Sequence, residues 1–395
     1  EYLRVPDYNS RLKPIQNKGL CGDKEYICCA STLQIKLKQL HKLITASRYT
    51  VVFTGAGIST SCGIADFRGP DGVWTKELKK IVTPIASSAS FDSAQPSIAH
   101  YSLVALLASG HIHHVISQNV DGLHLRSGLT PSNLTELHGN IFMEQCTGCQ
   151  KEYFRTYDIG GMGLQLTGNK CNGIQNSSSI SDGTIVFDCN TSTNSTIYDE
   201  ENQNSNSKRL EGCGAPLRDC AIDWDTPLPE DKFTRAELEI KKADLVICLG
   251  TSLRIRPAGN MPAEVFKKKT KVKKEKKKRK KSDRKDAEVD ENEIQSSTEG
   301  KLVIVNLQKT HLDGVASLVV HAKCDDVMTG LCDLLGIEIL KESPSSIISN
   351  VTTSESSIVK INSSQCIEST MDSRNNVMDS DIVGMRTRHY RQRRL

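Results

Sequence analysis

Four apolar segments rich in β-branched residues constrain the fold of this chain most strongly, because each is followed directly by a short polar turn. Such segments predict buried strands that end in loops. The predicted strands are 50–54, 113–117, 243–249 and 301–308, the last with a polar end. Apolar residues at helical spacing predict helices at 32–44, 97–109, 235–242 and 324–335.

The alternation of strands and helices predicts a doubly wound α/β fold, a Rossmann-like domain with a parallel sheet. Ligands of such sheets bind beyond the carboxyl ends of the strands. The polar turns all lie at such ends, so we expect them to form one ligand-binding edge.

The turn after the first strand contains two glycines and small hydroxyl residues: Gly55, Ala56, Gly57, Ser59 and Thr60. This pattern predicts a strand that turns into a helix N-terminus, where glycines and free N–H groups cradle a phosphate. Thr60 stands where the dinucleotide fingerprint has a third glycine. From these residues alone, a strand–turn–helix without a ligand is an equal alternative.

Polar insertions interrupt the alternation. Apolar residues make up 37% of the chain and aromatic residues 5%, which is low for a compact domain of 395 residues. An Asn/Ser-rich loop at about 172–207 and a charged insertion at about 264–300 are expected to be disordered. The predicted units are an arm at 1–30, a Rossmann-like domain at 31–140 and 219–340, a small metal module at 141–218, and a disordered tail at 341–395.

Positive charge is concentrated in residues 267–281, which contain twelve Lys or Arg residues and one Glu. This segment has a net charge of +11, whereas the whole chain has a net charge of +4, so the rest of the chain sums to −7. A basic run of this kind is typical of a nuclear import signal or a phosphate-binding patch, or it is a solvated loop without a partner. It has no aromatic residues for base stacking. The arginine cluster near the C-terminus could serve equally.

The fourteen cysteines indicate reduced thiols and a metal site rather than disulfides in a chain of this length. Cys146 and Cys149 form a knuckle that two downstream cysteines can complete as a closed tetrahedral, structural zinc site. We choose Cys171 and Cys213, because Cys213 lies in a Gly-Cys-Gly-Ala turn, with Cys189 as the alternative. The pair at 146 and 149 could also be coincidental.

A candidate general base, His138, directly precedes the metal module. A neutral imidazole in a cleft can act as a base near pH 7, but nine other histidines compete for that role. Gln118, Asn119 and Asp121 follow the second strand and could be no more than a turn. No apolar run approaches the length of a membrane span, so no membrane partner is expected.

The motifs GAGIST, IADFRG with GVW, SQNVDGLH, ELHG, CxxC, LGTSLRIRP and VNLQ occur in one order. Together they resemble the sirtuins, the NAD-dependent protein deacylases. GPDGVWT, LRDCAIDW and IRPAGNMP resemble the class IV branch, which is nuclear and chromatin-directed, and its sixth mammalian member more than its seventh. The resemblance covers roughly 31–340 without the two insertions.

The resemblance implies a role for each matching residue. His138, Asn119 and Asp121 would be catalytic, and Cys146, Cys149, Cys171 and Cys213 would bind zinc. The residues implied to contact NAD are Gly55, Ala56, Gly57, Ser59, Thr60, Asp66, Phe67, Arg68, Trp74, Gln118, Gly250, Thr251, Ser252, Asn306, Gln308 and Cys324. The last of these would contact the adenine through its backbone.

The implied reaction consumes NAD. The acyl-lysine oxygen attacks the carbon that bears nicotinamide, and nicotinamide leaves. His138 removes a ribose hydroxyl proton so that this hydroxyl can attack the resulting imidate, and water then releases deacylated lysine and O-acyl-ADP-ribose. The expected substrates are acylated lysines of histone tails, with acetyl or long-chain acyl groups. The expected location is the nucleus, with chromatin contacts and import through 267–281. Mono-ADP-ribosyl transfer in the same pocket and a non-catalytic chromatin-binding module are the alternatives.

Overall fold

The apolar segments of the sequence pair side by side as one parallel sheet. Its order is β11-β10-β9-β1-β2-β3, with every neighbouring pair parallel. The strands, in chain order, are β1 Thr50–Thr54, β2 His114–Ser117, β3 Leu134–Glu136, β4 Met143–Cys146, β5 Glu152–Phe154, β6 Leu166–Lys170, β7 Ile185–Phe187, β8 Pro216–Asp219, β9 Leu245–Leu249, β10 Lys301–Val305 and β11 Leu318–Val320. The predicted α/β fold with a parallel sheet is confirmed.

The computed structural model describes residues 8–16, 18–81, 91–172, 185–187, 212–267 and 300–341. Its helices are α1 Tyr8–Arg11, α2 Ala30–Thr45, α3 Val73–Leu78, α4 Ile98–Ala108, α5 Leu123–Arg126, α6 Glu230–Lys242 and α7 Cys324–Leu335. Four 3-10 segments are Ala56–Ile58, Thr60–Cys62, Pro131–Asn133 and Ala258–Lys267. No helix within the described ranges is long and apolar enough to cross a bilayer.

The carboxyl ends of the central strands are level with one another. Thr54 at the end of β1 lies opposite Ser117 of β2 on one side and Leu249 of β9 on the other. Val305 of β10 and Glu136 of β3 continue the same line. The turns that follow these five strands therefore meet at one edge of the sheet.

Alternate strand residues face two apolar layers, as the period of a strand requires. Val52, Ile247 and Val303 are buried in the layer that contains α2, α4 and α7. The neighbouring residues Phe53 and Val246 are buried in the opposite layer, with α6 and the 3-10 segment Ala258–Lys267. Both faces of the sheet are thus covered.

A second, five-stranded antiparallel sheet lies in the sequence between β3 and α6. Its order is β6-β8-β4-β5-β7. β7 falls within the segment 172–207, so the prediction of disorder there is wrong at Ile185–Phe187. These three residues have high strand propensity, and their backbone pairs with β5, with Phe187 opposite Glu152.

The charged insertion was predicted to begin at about residue 264, which is too early. Residues 264–267 continue the 3-10 segment Ala258–Lys267. Val265 is fully buried, and Phe266 packs against the same apolar layer. The rest of the basic run, Cys189, the tail beyond residue 341 and its arginine cluster lie outside the described residues.

Candidate active site

A cavity of about 430 Å³ lies at the edge where the strand ends meet. Most predicted site residues line it, namely those of the turns that follow β1, β2, β3, β9 and β10. The three predicted NAD contacts Thr60, Trp74 and Cys324 do not line the cavity. Their contact with a cofactor stays a prediction.

The two glycine turns after β1 and β9 pack directly against each other. The amide of Gly57 donates to the carbonyl oxygen of Gly250 over 2.7 Å. A Cβ atom at Gly57 would lie 2.8 Å from Gly250 Cα, and one at Gly250, where φ is +60°, would lie 2.4 Å from the Ile58 nitrogen. Both positions therefore require glycine for turn-to-turn packing, a reason that the sequence did not reveal.

The predicted helix N-terminus after β1 is wrong. The chain forms two short 3-10 turns instead, Ala56–Ile58 and Thr60–Cys62. The second turn ends at Gly63, whose φ of +83° is left-handed, so the helical conformation cannot continue. An anion at this turn would meet backbone amides and not the N-terminus of an α-helix.

A buried hydrogen-bonded cluster joins the first turn to the second. The Ser59 hydroxyl donates to Oδ2 of Asp121 over 2.7 Å, and Nδ2 of Asn119 lies 3.1 Å from the Ser59 oxygen and 3.2 Å from Asp121 Oδ2. The Leu123 amide donates to the other carboxyl oxygen of Asp121 over 3.0 Å. The carboxyl group is thus held from both sides, and the predicted residues Ser59, Asn119 and Asp121 form one unit.

Gln118 connects the second turn to the turn after β9. Its Nε2 donates to the Thr251 hydroxyl oxygen over 2.8 Å and lies 3.3 Å from the Thr54 carbonyl. The Thr251 oxygen also accepts the amide of Leu253 at 3.2 Å. These bonds hold the turn after β2 beside the turn after β9. Ser252 also lines the cavity at this point.

His138 follows β3 and reaches the same cavity. Its Nδ1 lies 2.7 Å from the carbonyl oxygen of Gln118. A carbonyl only accepts, so Nδ1 carries the proton and Nε2 keeps its lone pair. Burial lowers the pKa of His138, and the bond to Gln118 opposes that shift only in part. The imidazole is therefore neutral at pH 7 and able to accept a proton at Nε2.

Aromatic rings cover one side of the cavity. Phe67 lies 4.9 Å from Trp74 and 5.6 Å from Trp224 between ring centroids, and the two tryptophan rings are 5.1 Å apart. Phe67 and Trp224 line the cavity, whereas Trp74 is buried behind them. Trp224 was not among the predicted site residues, although it ends the motif LRDCAIDW that resembles the sirtuins.

The loop that carries Phe67 is held by its charged residues. Asp66 Oδ1 accepts the Gly69 amide over 2.9 Å, and burial raises the pKa of Asp66. The Arg68 guanidinium lies 4.4 Å from the centre of the Trp74 ring, and its Nε donates to the Lys18 carbonyl over 3.0 Å. Burial lowers the pKa of this guanidinium.

The far end of the cavity is formed by the turn after β10. Asn306 Nδ2 donates to the Gln308 carbonyl over 2.8 Å, and Gln308 Nε2 donates to the Asp23 carbonyl over 2.9 Å. The predicted residues Asn306 and Gln308 are therefore brought to the cavity and fixed. The arm at 1–30 contributes to this contact, which the sequence did not indicate.

The four cysteines predicted to bind zinc lie together beside the second sheet. All four Sγ atoms are within 4.8 Å of one another. Cys146 and Cys213 are 3.3 Å apart, and Cys149 and Cys171 are 3.5 Å apart between sulfur atoms. A tetrahedral zinc ion with bonds of about 2.3 Å requires sulfur separations of about 3.8 Å, so the set fits a closed structural zinc site.

Comparison with known proteins gives the family. A family model described as "Sir2 family" matches residues 82–257. The Drosophila melanogaster protein named NAD-dependent protein deacetylase Sirt6 is 34% identical over 340 residues, which cover 86% of this chain and 88% of that protein. The chain belongs to the Sir2 family. Its ordered motifs therefore resemble sirtuins because of common descent.

Other sirtuins are similar over a comparable part of the chain. The Arabidopsis thaliana protein named NAD-dependent protein deacetylase SRT1 is 39% identical over 332 residues, 84% of this chain. The Rattus norvegicus protein named sirtuin-7 is 34% identical over 336 residues, 82% of this chain and 66% of that protein. The alignment spans only 56% of the Arabidopsis protein and 55% of its Oryza sativa counterpart.

A solved sirtuin structure, titled "Sir2 bound to acetylated peptide", is 24% identical and has a TM-score of 0.45. The comparison covers 77% of this chain and 100% of the solved chain.

Proposed function

We propose that this chain is an NAD-dependent protein-lysine deacylase. The observation that carries the proposal is the hydrogen bond between His138 Nδ1 and the Gln118 carbonyl, 2.7 Å long. It leaves a neutral Nε2 as the proton acceptor in a cavity that also contains the Ser59–Asn119–Asp121 cluster.

The polar turns are proposed to bind NAD. Residues 55–59 and 250–252 would contact its phosphates, Gln118 a ribose, and Asn306 and Gln308 the adenosine end. When bound, NAD supplies a glycosidic carbon that is activated by its nicotinamide leaving group. The cluster of Ser59, Asn119 and Asp121 would orient the nicotinamide amide, since it combines donors and acceptors in a buried setting.

The proposed roles of the remaining residues concern the proton and water. His138 accepts the proton of a sugar hydroxyl at Nε2, which requires the neutral imidazole described above. Phe67 and Trp224 cover the reacting region with aromatic surface and exclude water until the acyl group has been transferred. The four-cysteine zinc site stabilises the second sheet and takes no part in this chemistry, because its coordination shell is closed.

We further propose that the chain belongs to the class IV branch and acts in the nucleus on acylated lysines of histone tails. Support comes from the relatives named Sirt6 and sirtuin-7 and from the motifs GPDGVWT, LRDCAIDW and IRPAGNMP. The basic run at 267–281 is proposed as the import signal and as a contact to nucleosomal phosphates. The domain limits and the remaining cofactor contacts of Thr60, Trp74 and Cys324 are part of the same proposal.

The test follows three products of one reaction. The full chain is incubated with NAD labelled in its ADP-ribose part and an acetylated histone H3 peptide, and free nicotinamide, deacetylated peptide and protein-bound label are measured. Equal amounts of nicotinamide and deacetylated peptide support deacylation. Label on protein with the acetyl group retained would favour mono-ADP-ribosyl transfer. Absence of nicotinamide release would favour a non-catalytic chromatin-binding module.

A further inference from the structure

Residues 8–13 of the N-terminal arm cross the cavity as a strap. Two side chains of this strap, Tyr8 and Leu12, line the cavity. Tyr8 is 7% exposed and packs edge-on against Phe91, with ring centroids 5.6 Å apart. The strap is thus part of the cavity wall, although it lies more than a hundred residues from His138 in the sequence.

The middle of the strap is held by a buried ion pair at Arg11. Arg11 Nη1 lies 3.0 Å from Asp158 Oδ1 and Nη2 lies 2.5 Å from Oδ2, so both carboxyl oxygens are engaged. The side chains of Arg11 and Asp158 are only 8% and 11% exposed. Asp158 also accepts the Gly160 amide over 2.9 Å, and its own amide donates to Asp92, the neighbour of Phe91.

The C-terminal end of the strap is held through its backbone at Lys13. The Lys13 amide lies 3.2 Å and 3.3 Å from the two carboxyl oxygens of Asp223. The Lys13 side chain forms a separate ion pair with Asp225, in which both partners are more than half exposed. Arg11 therefore makes the buried contact of the strap, whereas the side chain of Lys13 makes an exposed one.

The strap closes the apolar end of the cavity. Tyr8, Leu12, Phe91 and Val120 pack in one apolar cluster and all line the cavity. This end adjoins the proposed reacting centre, because Val120 stands between Asn119 and Asp121 in the sequence. The cavity-lining residue Ile222 also donates its amide to the His138 carbonyl. The glycine turns after β1 and β9, which would hold the dinucleotide phosphates, are not part of this apolar cluster.

We propose that Arg11 and Asp158 are positioning residues, which hold Tyr8 and Leu12 in place as the wall that binds the acyl chain of the substrate. The inference rests on the proposed deacylase function. An acyl group must reach the reacting centre beside His138, and its methylene chain then lies against the apolar end. Burial of each methylene group there is favourable, so a fixed wall favours long chains over acetyl.

The experiment compares one synthetic lysine peptide carrying either an acetyl or a dodecanoyl group. Steady-state kinetics are measured for the full chain and for Leu12→Ala, Arg11→Met, Asp158→Asn and the double variant Arg11→Met/Asp158→Asn. Arg11→Lys keeps the charge and tests for partial rescue. Lys13→Gln is the matched control, because it removes the exposed ion pair of the same strap.

In Leu12→Ala, Arg11→Met and Asp158→Asn we expect the dodecanoyl-to-acetyl ratio of kcat/KM to fall about tenfold, through KM of the dodecanoyl peptide and not through kcat. The double variant is expected to lose no more than either single variant, since one change already releases the strap. Lys13→Gln should leave the ratio unchanged. A loss of stability alone would lower both activities equally and leave the ratio at its original value, which would overturn the proposal.

Failure of the proposed function has a different signature. If the unaltered chain releases no acyl group from either peptide, deacylation is wrong, and the wall is tested by anisotropy of a fluorescent dodecanoyl-lysine peptide. About tenfold weaker binding by Leu12→Ala then supports the wall, and equal affinities overturn it. A chain that deacetylates the acetyl peptide but neither binds nor deacylates the dodecanoyl peptide also overturns it.

Discussion

His138 and Gln118 are joined by a hydrogen bond of 2.7 Å from the imidazole Nδ1 to the backbone carbonyl oxygen. This bond selects the tautomer with a free lone pair at Nε2 and turns that atom toward its proposed proton donor. It also ties the turn after β3 to the turn after β2. The position of the base thus depends on the register of two neighbouring strands, in which Ser117 lies opposite Glu136.

Replacement of His138 by Ala is expected to reduce kcat for acyl release by about a hundredfold to ten-thousandfold, because the general base is lost. The fold should be retained, since the side chain lines the cavity, is not part of an apolar cluster, and its backbone contacts remain. Acyl release from the peptide and thermal unfolding of the variant are the two measurements. Undiminished turnover would remove His138 from the role of base.

Replacement of Ser59 by Ala is expected to lower the free energy of unfolding by about 1–3 kcal/mol, because the buried Asp121 loses a hydrogen-bond donor. Activity should fall as well, since Asn119 and Asp121 keep only their direct contact and lose the hydroxyl that bonds to both. Urea unfolding and nicotinamide release provide the two readouts. Ser102→Ala is the matched control: its hydroxyl is also buried, but it donates to the Ile98 carbonyl within α4, away from the cavity.

The parallel sheet and most of the cavity wall could be predicted from the sequence because their signals are local. A run such as 50–54 is apolar throughout and ends in glycine, and this pattern predicts both a buried strand and the edge where its turn lies. The cysteines at 146 and 149 likewise have the spacing that is typical of a zinc-binding knuckle.

The remaining parts of the site depend on contacts between distant residues. Arg11 binds a carboxyl group 147 positions away, and the Lys13 amide binds one 210 positions away. Neither lies in a periodic pattern, and the prolines at 6 and 14 and the glycines at 19 and 22 predict an irregular arm without naming a partner for either residue. The two 3-10 turns after β1 were missed for a similar reason: small residues favour a helix start, but packing of Gly57 on Gly250 determines the conformation.

Zinc content is expected to depend on Cys213 and not on the nearby Cys220. Cys213→Ser should lose bound zinc and unfold at a lower temperature, because a structural site stabilises the fold that forms it. Metal analysis of the purified chain is the measurement. Cys220→Ser is the matched control, since Cys220 is a free cysteine outside the four-thiol cluster. Loss of zinc in Cys189→Ser with retention in Cys213→Ser would reverse the assignment of the fourth ligand.

The buried pair His100 and His124 is expected to make stability depend on pH. The rings lie 4.9 Å apart, and burial lowers their pKa values to about 4 and about 3 from 6.5. Nδ1 of His100 is bound to Ser97, and Nε2 of His124 to Thr54. No hydrogen-bond partner among the described residues reaches His100 Nε2 or His124 Nδ1. The folded state therefore offers no hydrogen-bond acceptor at these two nitrogens to stabilise a protonated, positively charged ring.

Between pH 6.5 and pH 4 the unfolded chain binds protons that the folded chain does not bind, so the free energy of unfolding must fall as the pH falls through this range. The slope is at most about 1.4 kcal/mol per pH unit for each histidine. Urea unfolding at several pH values, for the unaltered chain and for His100→Asn/His124→Asn, isolates this contribution as the difference between the two curves. That difference should be level above pH 7 and decline below pH 6.5. His311→Gln, at an exposed position, is the control, and a difference curve that stays level down to pH 4 would contradict the buried neutral pair.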